Sequence, residues 1–232
     1  MVYCFSPKDD AKACREYVRR KLGLPQWQPE TNAERALKIW NEAQDPRGTI
    51  AEKYLNSRRL DLAPELSNSV LRFHPRCPWE KGSVPCLIAA FRSITSDEIT
   101  AVHRIRVDRA EAPITERKMM LGPVKGSAIK LHRPSGERLV IGEGIESCLA
   151  GRQLGFSPVW SLGSAGGIKH FPLINGINRI TVLGENDNGS NRSAADKCSK
   201  LSASRRVLVA QPPAQFKDFN DVVMGTEKNV AA

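Results

Sequence analysis

Apolar residues fall three or four apart at Ala11, Cys14, Val18 and Leu22, which predicts a helix over residues 8–22 ended by Gly23 and Pro25. A Pro-containing linker follows, and Thr31 with Glu34 three residues on forms a capping-box pattern opening a second helix that carries Ala33, Leu37, Ile39 and Trp40. A third helix is predicted over Ile50 to Arg59. The period then shortens. Val70–Phe73, Pro85–Arg92 and Ile99–Val107 are β-rich segments bounded by Pro, Gly, Ser and Asp. The last of them alternates, with Val102, Arg104 and Arg106 on one face and Ala101, His103, Ile105 and Val107 on the other.

Past Gly136 the pattern changes again. Arg138–Gly142, Pro158–Ser161, Arg179–Leu183 and Arg206–Ala210 are predicted strands of the buried type. Helices over Ile145–Leu154, Ser193–Leu201 and Phe219–Met224 interleave with them. Strands alternating with helices argue for an α/β fold in which four parallel strands are covered on both faces. The expected organisation is a helical segment at 1–24, a basic α+β subdomain at 25–135 and the parallel α/β domain at 136–232.

Ligands of open parallel sheets bind beyond the carboxyl ends of the strands. Three acidic loops are expected there: Gly142-Glu143-Gly144, Gly184-Glu185-Asn186-Asp187-Asn188-Gly189, and Lys217-Asp218-Phe219-Asn220-Asp221. Carboxylates gathered at one sheet edge repel one another unless a cation lies among them, and an all-oxygen set selects Mg²⁺ or Mn²⁺. Glu185 and Asp187 are two apart, so on an extended loop both reach the same ion. Gly163-Ser-Ala-Gly-Gly167, after the second parallel strand, is either a plain turn or a phosphate cradle.

Net charge sharpens the partner. With 35 basic against 25 acidic residues the chain carries +10, which suits a polyanion, nucleic acid first. Aromatic content of 6% argues against wide base-stacking surfaces. Six scattered cysteines without a Cys-x-x-Cys pair point to a reducing, cytoplasmic setting. Apolar runs such as Val84–Phe91 are too short for a bilayer, so no membrane is expected. His74, Cys77 and Cys86 lack the fourth ligand and close Cys pair of structural zinc, so no zinc is expected. No Gly-x-x-x-x-Gly-Lys-Ser/Thr run is present, which excludes an in-chain helicase motor.

The order strand, Glu-Gly, helix; strand, acidic-x-acidic, Gly, helix; strand, acidic loop resembles the Toprim domain. Ile141-Gly-Glu-Gly-Ile-Glu-Ser147 and Lys217-Asp-Phe-Asn-Asp-Val-Val223 are most similar to primase-type Toprim proteins of phages, plasmids and mobile elements. The resemblance implies that Glu143 is the general acid/base, that Glu185 and Asp187 hold metal, and that Asp218 and Asp221 lie at the metal edge. Bacterial primases carry Asp where this chain has Ser147, and Glu146 is the expected replacement; Glu185 likewise stands where the family has Asp. Upstream, Ile99–Arg106, Glu116–Met120 and Gly122–Gly126 are similar in layout to the basic subdomain that precedes Toprim in primases. Arg104, Arg106, Lys118 and Lys125 are therefore expected on phosphates. The implied activity is Mg²⁺-dependent, template-directed synthesis of RNA primers on single-stranded DNA from nucleoside triphosphates, with a replicative helicase on a separate chain as a further partner. A Toprim nuclease, or a non-catalytic nucleic-acid-binding module with a degenerate site, are the alternatives.

Overall fold

The computed structural model describes residues 10–23, 29–80, 82–108, 117–186, 189–200 and 205–225. The chain divides into two units, Met1–Thr31 and Asn32–Ala232. In the first, helix α1 (Ala11–Lys21) starts at Asp10, whose side chain accepts from the Lys12 N–H at 3.0 Å, and ends in Arg19, Arg20 and Lys21. An acidic cap at the start and cations in the last turn both oppose the helix dipole.

The second unit opens with α2 (Asn32–Glu42) and α3 (Ile50–Ser57). Thr49 caps α3, its hydroxyl accepting from the Ala51 N–H at 3.1 Å. Strands β1 (Leu71–Trp79), β2 (Gly82–Ser93), β3 (Ile99–Arg106) and β4 (Lys118–Leu121) then pair antiparallel in sequence order. β5 (Ser127–Lys130) returns to the other edge of β2 and also pairs antiparallel with β7 (Val159–Ser161). Three more strands complete the sheet: β6 (Arg138–Gly142), β8 (Arg179–Leu183) and β9 (Arg206–Ala210). The order is β4-β3-β2-β5-β7-β6-β8-β9, with β1 pairing to β2. β7-β6-β8-β9 are mutually parallel.

The parallel strands alternate between two cores, which is why they read as unbroken apolar runs. Leu139, Ile141, Ile180 and Val182 pack under α5 (Ala165–Lys169) and α6 (Ser190–Ser199), with Ile168, Ala194 and Cys198. Val140 and Leu183 pack the other way, under α4 (Ile145–Gln153) and α7 (Phe219–Gly225), with Cys148, Leu149 and Phe219. Gly142 is required by this packing: a Cβ there would stand 2.6 Å from the Cys148 sulfur.

Two features of the antiparallel half depart from expectation. β5 makes one continuous sheet of what the sequence divides into two sheets, and its four residues are too short to register as a periodic signal. The β3 alternation is real, but both of its faces are covered. Val102 packs with Ala36, Ile39 and Trp40 of α2, whereas Ala101 and Ile105 pack with Tyr54 and Leu55 of α3.

Candidate active site

Register places the strand ends together. Gly142 pairs with Ser161 on one side and Leu183 on the other, and Leu183 pairs with Ala210. Glu143, half-buried, is thus the first residue beyond β6, and Glu185, also half-buried, is the second beyond β8, at adjacent parallel exits. The Glu143 backbone is pinned: its carbonyl accepts from the Gly163 N–H and from the Ser161 hydroxyl, both at 2.9 Å. Its side chain therefore leaves a fixed point at the sheet edge. Glu185 lies near enough to Cys148 to raise the thiol's pKa, a change for which burial is the larger cause.

The β9 exit runs on through Pro212 and Pro213, and Asn186 draws it back. The Asn186 N–H donates to the Lys217 carbonyl at 2.7 Å, and its side-chain amide donates to the carbonyls of Pro212, Pro213 and Phe216 at 3.2, 3.1 and 2.7 Å. Asp218 stands immediately before α7. Its Oδ1 accepts from the Asp221 N–H at 3.0 Å, while Asp221 Oδ2 accepts from the Lys217 N–H at 3.2 Å. Each aspartate thus spends one oxygen on holding the helix start. Between them Phe219 packs edge-on to Phe156, and the buried Asn220 donates to the Arg58 carbonyl at 2.9 Å.

Asp187, the expected partner of Glu185, lies outside the described residues. Among the described residues no group of three or more His, Cys, Asp or Glu side chains converges to hold a metal ion. The donor chemistry is nevertheless all carboxylate at parallel strand exits, which fits a hard divalent cation. Glu146 does not join that edge. It is buried in the first turn of α4, and its Oε1 accepts from the Tyr54 hydroxyl at 2.8 Å and from Lys118 Nζ at 2.6 Å. Burial alone would push this carboxyl up; Lys118, His103 and Tyr54 outweigh it and hold the group down at about 2.

The four expected phosphate contacts are dispersed. Arg104 is buried against the end of β1, donating from Nη1 to the Pro78 carbonyl at 2.7 Å with its guanidinium 5.5 Å from the Trp79 ring centre. Arg106 pairs with Asp108 at 2.5 and 2.9 Å. Lys118 is taken by Glu146. Only Lys125 of the four is exposed, on the rim of a cavity of about 310 Å³ that Ser164, Gly167 and His170 also line. Leu162, the first residue beyond β7, also lines that cavity. Alternation along β3 cannot reveal that α2 covers the arginine face. Asn186 and Tyr54 escaped sequence reasoning altogether: the first sits as a spacer inside an acidic loop, the second inside an ordinary helix.

Residues 138–228 match the Toprim domain, and residues 30–131 match a domain of unknown function (DUF7146). No curated protein matches the sequence. Among solved structures the fold is similar to the E. coli primase catalytic core, at 14% identity and TM-score 0.56, covering 82% of this chain and 73% of that one. It is similar to a DNA primase domain from Pseudomonas aeruginosa, at 15% identity and TM-score 0.53, covering 78% and 68%. The DnaG primase catalytic domain bound to single-stranded DNA is a further neighbour, at 14% identity and TM-score 0.52, covering 86% and 76%. Identities this low carry the fold alone. Together the strand order, the three acidic exits and these likenesses identify a Toprim-domain protein, its Toprim domain at residues 138–228, on a primase-like fold.

Proposed function

We propose that the chain joins ribonucleotides on a single-stranded DNA template, as a metal-dependent primase-like nucleotidyltransferase. The observation that carries this reading is the placement of Glu143 and Glu185 at adjacent parallel strand exits, with the Asp218 loop tied to the Glu185 loop by Asn186, on a fold shared with primase cores. Glu185 and, by its position in the sequence, Asp187 would hold Mg²⁺ or Mn²⁺, with Asp218 and Asp221 beside them. A divalent cation bound there supplies charge neutralisation for a triphosphate and for the departing pyrophosphate. Glu143, fixed by its backbone at the neighbouring exit, takes the proton from the attacking hydroxyl. Lys125, exposed where it lines the cavity beyond β7, would meet phosphate.

One observation favours a second reading. Asp218 and Asp221 already spend an oxygen each at the start of α7, as expected of a binding module whose site no longer turns over. Incubation with labelled ribonucleotides, single-stranded DNA and Mg²⁺ or Mn²⁺ separates the classes by product. Primers support the proposal, and strand cleavage without synthesis makes the chain a nuclease. Neither product with either metal leaves the binding module.

A further inference from the structure

Glu143 stands at the head of a helix that does little to hold its own first turn. The N-cap of α4 is Gly144, which has no side chain to accept from the turn's free N–H groups. Three residues beyond Glu143, the same turn carries Glu146, buried and gripped from two elements that come from much earlier in the chain. Tyr54 reaches it from α3 and Lys118 from β4, both onto Oε1. β4 also approaches the other side of the Glu143 loop: a Cβ at Gly163, whose N–H donates to the Glu143 carbonyl, would lie 3.2 Å from the Met120 sulfur.

From this arrangement we infer that Glu146, Lys118 and Tyr54 form a buried latch that positions Glu143. The three are positioning residues: Tyr54 and Lys118 grip Glu146, and Glu146 acts on Glu143 only through the turn they share. The inference rests on the reading of Glu143 as the acid/base. Its physical basis is that a buried carboxylate is tolerated only while its cation and hydrogen-bond donor stay in place. The 7% exposed Glu146 side chain can therefore not drift from Lys118 and Tyr54, and the turn that bears Glu143 cannot drift from Glu146. The latch also gives Lys118 a defined task within the protein, in place of a phosphate contact.

Three variants test it: Lys118→Met, the double Glu146→Leu with Lys118→Met, and Tyr54→Phe. Removing one charge leaves the other buried and unpaired, so Lys118→Met should melt several degrees lower. The double variant replaces the pair by apolar groups and should recover most of that loss. Recovered stability must not recover position. Amide exchange over residues 142–147 should stay about tenfold or more faster than in wild type, with β8 and β9 unchanged. Turnover at saturating nucleotide should stay about tenfold lower at an unchanged nucleotide KM. Tyr54→Phe, which removes a single hydrogen bond, should fold normally and speed exchange in the same segment by about two- to fivefold; it decides the matter if the double variant does not fold. If wild type proves inactive the catalytic reading falls, and the exchange pattern still judges the latch. Exchange and turnover that both return to wild-type values in the double variant, or a Tyr54→Phe protein with unaltered exchange, would overturn it.

Discussion

Charges are spent in opposite ways at the two ends of the sheet. Beyond the parallel strands β6, β8 and β9, acidic side chains collect in exit loops, where Glu143, Glu185 and Asp218 stay half-buried and within reach of solvent. Along the antiparallel strands β2–β4, charges turn inward or pair: Arg104 is buried on the Pro78 carbonyl, Arg106 meets Asp108, and Lys118 meets Glu146. Strand exits in a parallel sheet have no covering layer, because the flanking helices lie on the faces. A strand interior has two faces, and which helix covers each is settled by packing. The difference teaches that an acidic loop after a parallel strand can be trusted as a surface feature, and an arginine at an alternating strand position cannot.

The largest expected effect separates Arg104 from Lys125. Arg104→Ala should cost ~2–4 kcal/mol in urea unfolding, because the Pro78 carbonyl loses its donor and Trp79 its packing partner. Lys125→Gln should change stability by less than ~0.5 kcal/mol and flatten the salt dependence of DNA binding by about one contact. Equal stability losses at the two positions would erase the contrast between buried and exposed cations.

Next comes the pH response of His103. Burial is the main cause of its depressed pKa, about 4 against 6.5, and Lys118 and Arg104 add to it while Glu146 opposes it. Between these values the unfolded chain holds a proton that the folded one refuses, so stability must fall as pH drops from 6.5 to 4. A loss of ~1–3 kcal/mol over that interval, abolished by His103→Phe, is expected from melts across the range. Glu146 acts in the same direction but lower, between 4.5 and about 2. A His103→Phe protein with an undiminished slope over pH 4–6.5 would assign the effect to other groups.

The smallest effect concerns Asp218. Loss of its cap in Asp218→Ala should cost ~1 kcal/mol. Asp218→Asn keeps the accepting oxygen, so it should leave the metal-free protein nearly unchanged and still reduce the rise in melting temperature produced by Mg²⁺. If Asn and wild type gain equally from Mg²⁺, Asp218 is a cap alone.

Much of this was legible beforehand because the parallel strands write it directly. β6, β8 and β9 begin and end where their apolar runs do, and Glu143, Glu185 and Asp218 follow at the exits. Glu146 was misplaced because a carboxylate one residue from a family position looks like a substitute, and only the fold shows Lys118 and Tyr54 waiting for it. The pairing joins residues 28 and 92 positions apart in the chain, a distance at which no local pattern operates. β5 and α5 were missed because each is short and lies beside turn-forming residues: Ser127–Lys130 follows Gly122-Pro and Gly126, and Ala165–Lys169 contains Gly166-Gly167.

Glu143→Gln tests the central claim most directly, since it preserves the shape of the side chain and removes its charge and its capacity to take up a proton. Labelled ribonucleotide incorporation and single-stranded DNA affinity, measured on the same preparations with Mg²⁺, should diverge. Synthesis should fall by ~10²–10⁴-fold while affinity stays within about twofold of wild type. Synthesis that survives the substitution undiminished would contradict the account, because the residue at the β6 exit would then have no part in the chemistry.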